Sequence, residues 1–171
     1  MSTISAPKPR PLKPGAVARH ADTRHESDDA AATFERQMVS FVRSLGLHRP
    51  GQTPCGQPIA VAEAHALLEI GRAPGITQGA LAARLRLEKS TVSRVAVALE
   101  KRGWIVRRRP ENDSRSVRLT LTEAGVAAND RIAIARRQNF ERIFASIPSA
   151  KRRSVMDALS VLIDAMDERE S

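Results

Sequence analysis

Aromatic side chains are nearly missing from this sequence: four Phe, one Trp and no Tyr make up 3% of its 171 residues. Its core must therefore be built from Leu, Ile, Val and Ala, a mixture that favours packed helices over sheet sandwiches. Cysteine is limited to Cys55, which excludes an intramolecular disulfide and fits a reducing cytosol. No apolar run approaches the ~20 residues a membrane helix needs. The charged N-terminus has no hydrophobic stretch behind it, so it is not a secretory signal. A soluble, cytoplasmic protein without a membrane partner is expected. Also missing are a Gly-rich phosphate loop, a paired-carboxylate or His–Cys constellation, and chain length to spare for a catalytic domain. No enzyme is expected. His20, His25, His48 and His65 lack metal-ligand spacing, so neither metal nor cofactor is expected.

Negative charge is the scarcer sign. Against 28 Lys and Arg stand 19 Asp and Glu, a net charge of +9, which points to a polyanionic partner. The excess is concentrated. Residues 84–118 hold Arg84, Arg86, Lys89, Arg94, Lys101, Arg102, Arg107, Arg108, Arg109, Arg115 and Arg118 against only Glu88, Glu100, Glu111 and Asp113. A solubilising surface mixes its signs more evenly. This window reads as a footprint.

The length suits one domain, or one domain and a tail. Residues 1–28 carry four of the ten prolines and almost nothing bulky, and are expected to form a disordered basic tail. Phe34, Met38, Phe41, Val42 and Leu45 then recur at helical spacing, so 29–58 should hold a first dimerisation helix and, from Gly46 to Pro58, a loop. Helical periodicity resumes at Ile59 and runs through Val61, Ala64, Leu67, Leu68 and Ile70 until Gly71, Pro74 and Gly75 close it. Thr77 is a good N-cap for a short helix over 78–85. A tight connection through 86–88 leads to a second helix over 89–102, which Gly103 stops.

After Gly103 the period changes from 3.6 to 2. Residues 104–107 and 116–121 read as paired strands, the second with Val117, Leu119 and Leu121 on one face and Arg118 and Thr120 on the other. RPENDSR between them is a polar turn. Thr122 caps a long helix to about 147, with Glu123 complementing its dipole. A last helix over about 149–168 carries Val155, Leu159, Leu162, Ile163 and Met166 in one stripe. The fold expected is mainly α with a small β-hairpin wing: a winged helix-turn-helix over 59–122 with long terminal dimerisation helices, those of the C-terminus in 123–171. A helix over 123–147 spans roughly 35–40 Å at 1.5 Å per residue. A small winged domain cannot cover that length, so a second copy of the chain is expected to do so.

On a helical wheel, Val92, Val95, Ala96 and Leu99 fall together and must face the core. The opposite side presents Ser90, Thr91, Arg94, Val97, Ala98 and Lys101. Arg94 and Lys101 suit guanine edges or phosphates, the hydroxyls suit either, and Val97 suits a thymine methyl. An ordinary amphipathic helix with a solvated polar face would look the same. Context tips the balance: a short helix and tight turn precede it, and a basic hairpin follows. The N-terminal half of such a helix enters the major groove, so Ser90, Thr91 and Arg94 are the base-contact candidates; Lys89, Ser93, Thr77 and Gln78 are further DNA-binding candidates. Arg107, Arg108, Arg109 and Arg118 are candidates for the phosphate backbone. Arg115 at the wing tip suits the minor groove, with Asp113 holding a guanidinium or capping the turn.

The stretch ITQGALAARLRLEKSTVSRVAVALEKRGWIVRRRPENDSRSVRLTLTEAG resembles the MarR family, named for multiple antibiotic resistance regulators. STVSRVAVALEKRGWIVRR looks like its recognition helix and first wing strand. DSRSVRLTLTEAG looks like its wing tip, second strand and the start of the next helix. The resemblance implies a homodimer whose paired wings bind a pseudopalindromic operator in double-stranded DNA. It also implies repression relieved by a small anionic or phenolic ligand, or by oxidation of a cysteine. Were there a ligand crevice between the dimerisation and DNA-binding parts, Met38, Phe41 and His65 would be its candidates. Glu88 departs from the Asp or Ser frequent in the family before the recognition helix, and Gly79 interrupts the helix before it. Cys55 has no activating base beside it and reads as an inert thiol, although His48 or Arg49 offers positive charge. The main alternative is a winged-helix protein-interaction module without specific DNA binding. RNA binding is disfavoured for want of exposed aromatics on which bases stack.

Overall fold

A computed structural model describes residues 17–47, 49–109 and 116–168. The chain divides into two compact units between Leu45 and Gly46. The first is a single described helix, α1 (Val17–Ser44). It begins well before 29, so the expectation of a disordered 1–28 fails for 17–28. All four prolines of that stretch lie at or before Pro14, and nothing after them breaks a helix. Phe34 and Phe41 are exposed on α1, while Met38 and Val42 are half-buried.

The second unit carries α2 (Val61–Arg72), β1 (Ile76–Thr77), α3 (Gln78–Leu85), α4 (Lys89–Lys101), β2 (Ile105–Arg108), β3 (Arg118–Leu121), α5 (Glu123–Ser146) and α6 (Ser149–Asp167). α2 packs against α3, α4, α5 and β3. Ile59, Leu67, Ile70, Leu81, Val92, Leu99, Ile105 and Leu119 are its largest fully buried side chains, an aliphatic core as the scarcity of aromatics requires.

The sheet has three antiparallel strands in the order β1-β3-β2. β2 and β3 are the expected wing. β1 is an addition: Ile76 pairs with Leu119 and Thr77 with Arg118. Two residues are too few to show a period of two, and Thr77 carries the stronger signal of an N-cap.

Helix ends follow the capping chemistry closely. The Thr77 hydroxyl accepts a hydrogen bond from the Ala80 amide at 3.1 Å, and the Thr122 hydroxyl accepts one from the Gly125 amide at 3.0 Å. Gly103 takes φ +72° after α4, the left-handed turn that Gly adopts without steric cost. α5 is only half covered within the second unit. Gly125, Ala128 and Ile132 in its N-terminal half are buried, whereas Ile134, Phe140, Ile143 and Phe144 are exposed. No described residue of α6 is buried.

Candidate nucleic-acid interface

α3 and α4 meet through a turn held by backbone bonds. Arg86 caps α3 in a left-handed conformation, φ 51°, and the Leu87 amide donates to the Ala82 carbonyl at 3.0 Å. α4 starts without a side-chain cap, as expected of Glu88. Val92, Val95, Ala96 and Leu99 are all buried, which turns the opposite face of α4 outward. Lys89, Ser90, Arg94 and Lys101 are exposed there, and Thr91, Ser93 and Val97 are half-buried. The Arg94 guanidinium donates to the Thr91 hydroxyl at 3.2 Å, so these two base-contact candidates are presented together. Thr77 and Gln78 are half-buried, and the Gln78 amide donates to the Val117 carbonyl at 3.0 Å. That bond ties the start of α3 to the foot of the wing.

Strand register divides the wing arginines. Cross-strand partners share a face: Ile105 with Leu121 and Arg107 with Leu119 on the core side, Val106 with Thr120 and Arg108 with Arg118 on the outer side. Arg107, expected beside its neighbours as a phosphate contact, instead donates to the Glu100 carboxylate at 2.8 Å, linking wing and α4. Arg108 and Arg118 stand opposite each other, both exposed. No acidic side chain among the described residues pairs with either. Like charges directly opposite are destabilising. Arg109 continues the exposed run. Asp113 and Arg115, the wing-tip candidates, lie outside the described residues.

The basic window is thus smaller as a footprint than its composition suggests. Arg84 pairs with Glu69 at 3.4 Å, Arg86 with Asp167 at 2.5 Å and Arg102 with Glu63 at 3.3 Å. With Arg107, four of its arginines have internal carboxylate partners. Lys89, Arg94, Lys101, Arg108, Arg109 and Arg118 have none among the described residues, and all six sit on α4 or the wing. Arg102 also lies over the Trp104 ring, 5.2 Å from its centroid. Periodicity carries no signal for these pairings, because the acidic partners come from other elements.

Of the effector candidates, Met38 is half-buried and Phe41 exposed on α1, in the first unit. His65 is exposed on α2. Desolvation by the surrounding protein and the positive charge of Arg136 lower its pKa, against an upward pull from Glu69. A cleft of about 700 Å³ opens between α2 and α5. Leu68, Ala133 and Phe140 give it apolar surface, Arg136 and Arg137 give it positive charge and Glu141 negative charge, while Arg72 is paired with Glu69 at 2.6 Å; His65 is not among its lining residues. Asn129, also in the lining, has a buried Oδ1 with no hydrogen-bond partner. A Cβ on Gly71 would stand 2.8 Å from that oxygen, so a larger residue there would displace the Asn129 side chain. The Cys55 sulfur lies 3.1 Å from the buried Thr53 hydroxyl.

Residues 58–116, from just before α2 to the foot of β3, match the sequence model of the MarR family. Over this segment the chain is similar to the MarR family. The transcriptional repressor MprA of Escherichia coli K12 is 27% identical to the chain over 90 residues, 53% of this chain and 51% of MprA. The chain therefore spans about half the length of that relative. Among solved structures, the MarR-type fold is shared with the PcaV transcriptional regulator of Streptomyces coelicolor, with TM-score 0.65, 19% identity and coverage of 81% and 98% of the two chains. FabT of Streptococcus pneumoniae, solved in complex with DNA, gives TM-score 0.60 and 23% identity over 84% and 98%. At such identities the likeness shows the fold alone. The MarR-type segment contains α4 and all of β2, which carry most of the unpaired cations.

Proposed function

We propose that this protein is a sequence-specific double-stranded DNA-binding transcriptional regulator, a homodimeric repressor relieved by a small ligand. The observation that carries the reading is the Arg108–Arg118 pair: two guanidinium groups opposed on an exposed strand face, where a DNA phosphate removes the repulsion. The opening residues of α4 enter the major groove, with Ser90, Thr91 and Arg94 on base edges and Ser93 and Val97 beside them. Lys89, Thr77, Gln78, Arg108, Arg109 and Arg118 take the flanking backbone, and Arg115, with Asp113 beside it, follows the minor groove. Arg107 has a different part, holding the wing to α4 through Glu100.

Dimerisation is supported by the apolar surface that α5 and α6 leave exposed. Ile134, Phe140, Ile143, Leu159 and Ile163 are each at least 41% exposed, more apolar side chain than an isolated soluble chain normally shows water. Two recognition helices then meet half-sites of a pseudopalindromic operator one helical turn apart. The cleft between α2 and α5 suits a small anionic or phenolic effector, through its arginines and the unpartnered Asn129 oxygen. His65, Met38 and Phe41 remain separate candidates drawn from the sequence alone. The relatives agree in kind: MprA is named a repressor, FabT was solved with DNA, and PcaV was also solved with its natural ligand.

Selection of genomic fragments on the purified protein tests this reading. It should return duplexes sharing two inverted half-sites. Arg94→Ala should weaken the best of them by roughly 1–3 kcal/mol and relax the preference at one position of each half-site. Enrichment of no sequence, with retention of protein partners instead, would favour the interaction-module alternative.

A further inference from the structure

We infer that a small cavity beside Trp104 is a second ligand site, built for a compact carboxylic acid. It lies behind the wing, where residues 57–59, the end of α4 and the first half of α5 meet, and its volume is about 160 Å³. Ile59, Ala128 and Ile132 line it and are buried. The half-buried Trp104 closes one side, and Arg102 and Arg131 complete the charged part of the wall. A cavity of roughly this size, when apolar, accepts a six-membered ring.

Charge decides what the ring must carry. Arg102 has Glu63 at 3.3 Å and rests on the Trp104 ring, so its charge is already balanced. Arg131 is exposed and has no acidic partner among the described residues. An exposed cation at the edge of a pocket whose inner wall is Ile59, Ala128 and Ile132 suits a single anionic group on a short apolar body, with the charge kept on the solvent side. A carboxylate meets a guanidinium in a strong, charge-assisted hydrogen bond. None of these residues lines the α2–α5 cleft, so the two sites are separate.

The position of this site gives occupancy a mechanical consequence. The Trp104 carbonyl accepts the Thr122 amide at 3.0 Å, and the Thr122 hydroxyl donates to the neighbouring Gly103 carbonyl at 2.6 Å. Trp104 thus joins the end of α4, the start of β2 and the N-terminus of α5. A body pressed against its indole shifts wing and α4 relative to each other. Only the consequence of that shift for DNA binding rests on the proposed function.

Trp104 is the only Trp in the chain, so its emission reports the site directly. We expect titration of the full chain with cyclohexanecarboxylate to change that emission saturably. Arg131→Gln and the uncharged probe cyclohexanecarboxamide should each weaken the apparent affinity by about tenfold or more. Arg136→Gln, in the α2–α5 cleft, should leave it unaltered. A change that never saturates, or one indifferent to Arg131→Gln, would overturn the site. So would loss of the signal in Arg136→Gln, which would place the acid in the other cleft. A saturable, Arg131-dependent signal in a protein that binds no duplex would leave this site standing and overturn the proposed function instead.

Discussion

Gly125→Ala should destabilise the winged unit by about 3 kcal/mol, the upper end for overpacking, lowering its melting temperature by roughly 6–12 °C. A Cβ on Gly125 would stand 1.8 Å from the Trp104 carbonyl oxygen. That oxygen is backbone and is held by the Thr122 amide, so it cannot rotate away as a side chain would. Relief requires α5 to lift from β2, which breaks the Thr122 bonds and uncovers Ala128 and Ile132 behind them. Gly79→Ala is the matched control. Its Cβ would meet nothing within 4 Å, and in an exposed helical position Ala is favoured over Gly by roughly 0.5–1 kcal/mol. Differential scanning calorimetry should therefore find the two substitutions moving the transition in opposite directions. Equal melting temperatures for Gly125→Ala and the parent chain would show that α5 does not dock on β2 in this way.

The second large effect concerns assembly. Phe140→Asp with Ile143→Asp should turn a dimer into a monomer at micromolar concentration in sedimentation experiments. Both side chains are about half exposed on α5, at 55% and 45%, so within the chain they support little. Between two copies each is a buried apolar contact, where a carboxylate is expensive to desolvate. The monomer should stay folded, with an undiminished near-ultraviolet spectrum. It should bind a duplex with two half-sites about 100-fold or more less tightly, because the second half-site contact is no longer intramolecular. A parent chain that is monomeric under the same conditions, or a variant that still dimerises, would contradict the account.

Local chemistry made much of this molecule legible in advance. Thr77 and Thr122 cap helices because their hydroxyls reach an amide three residues on. Gly103 ends α4 because its φ is positive. The buried stripe from Val92 to Leu99 followed from the helical period alone, and it oriented Ser90 and Arg94 outward. Each of these signals is carried within one or two turns of chain. What escaped was set at longer range or too briefly. β1 is two residues long and exists only because Leu119 and Arg118 offer it partners. The start of α1 at Val17 was hidden by prolines that all precede it. Arg84, Arg86, Arg102 and Arg107 looked identical to Arg94 and Arg108 by composition, yet Glu69, Asp167, Glu63 and Glu100 engage them. Which arginines are left for a partner is decided by the tertiary fold.

The most direct test of the whole reading is the double variant Arg108→Ala with Arg118→Ala, melted alone and titrated onto the best selected duplex over a range of salt. If the paired guanidinium groups exist to hold phosphate, the isolated protein should be as stable as the parent or slightly more so, since a like-charge pair is gone. Its log K should start below the parent's and fall less steeply with log salt. The parent slope should lie at roughly −5 to −9 for six to ten phosphate contacts per dimer, and the variant's should be shallower by about 4. A variant that melts lower while binding DNA with unchanged affinity and slope would contradict the claim that this face was built for a double helix.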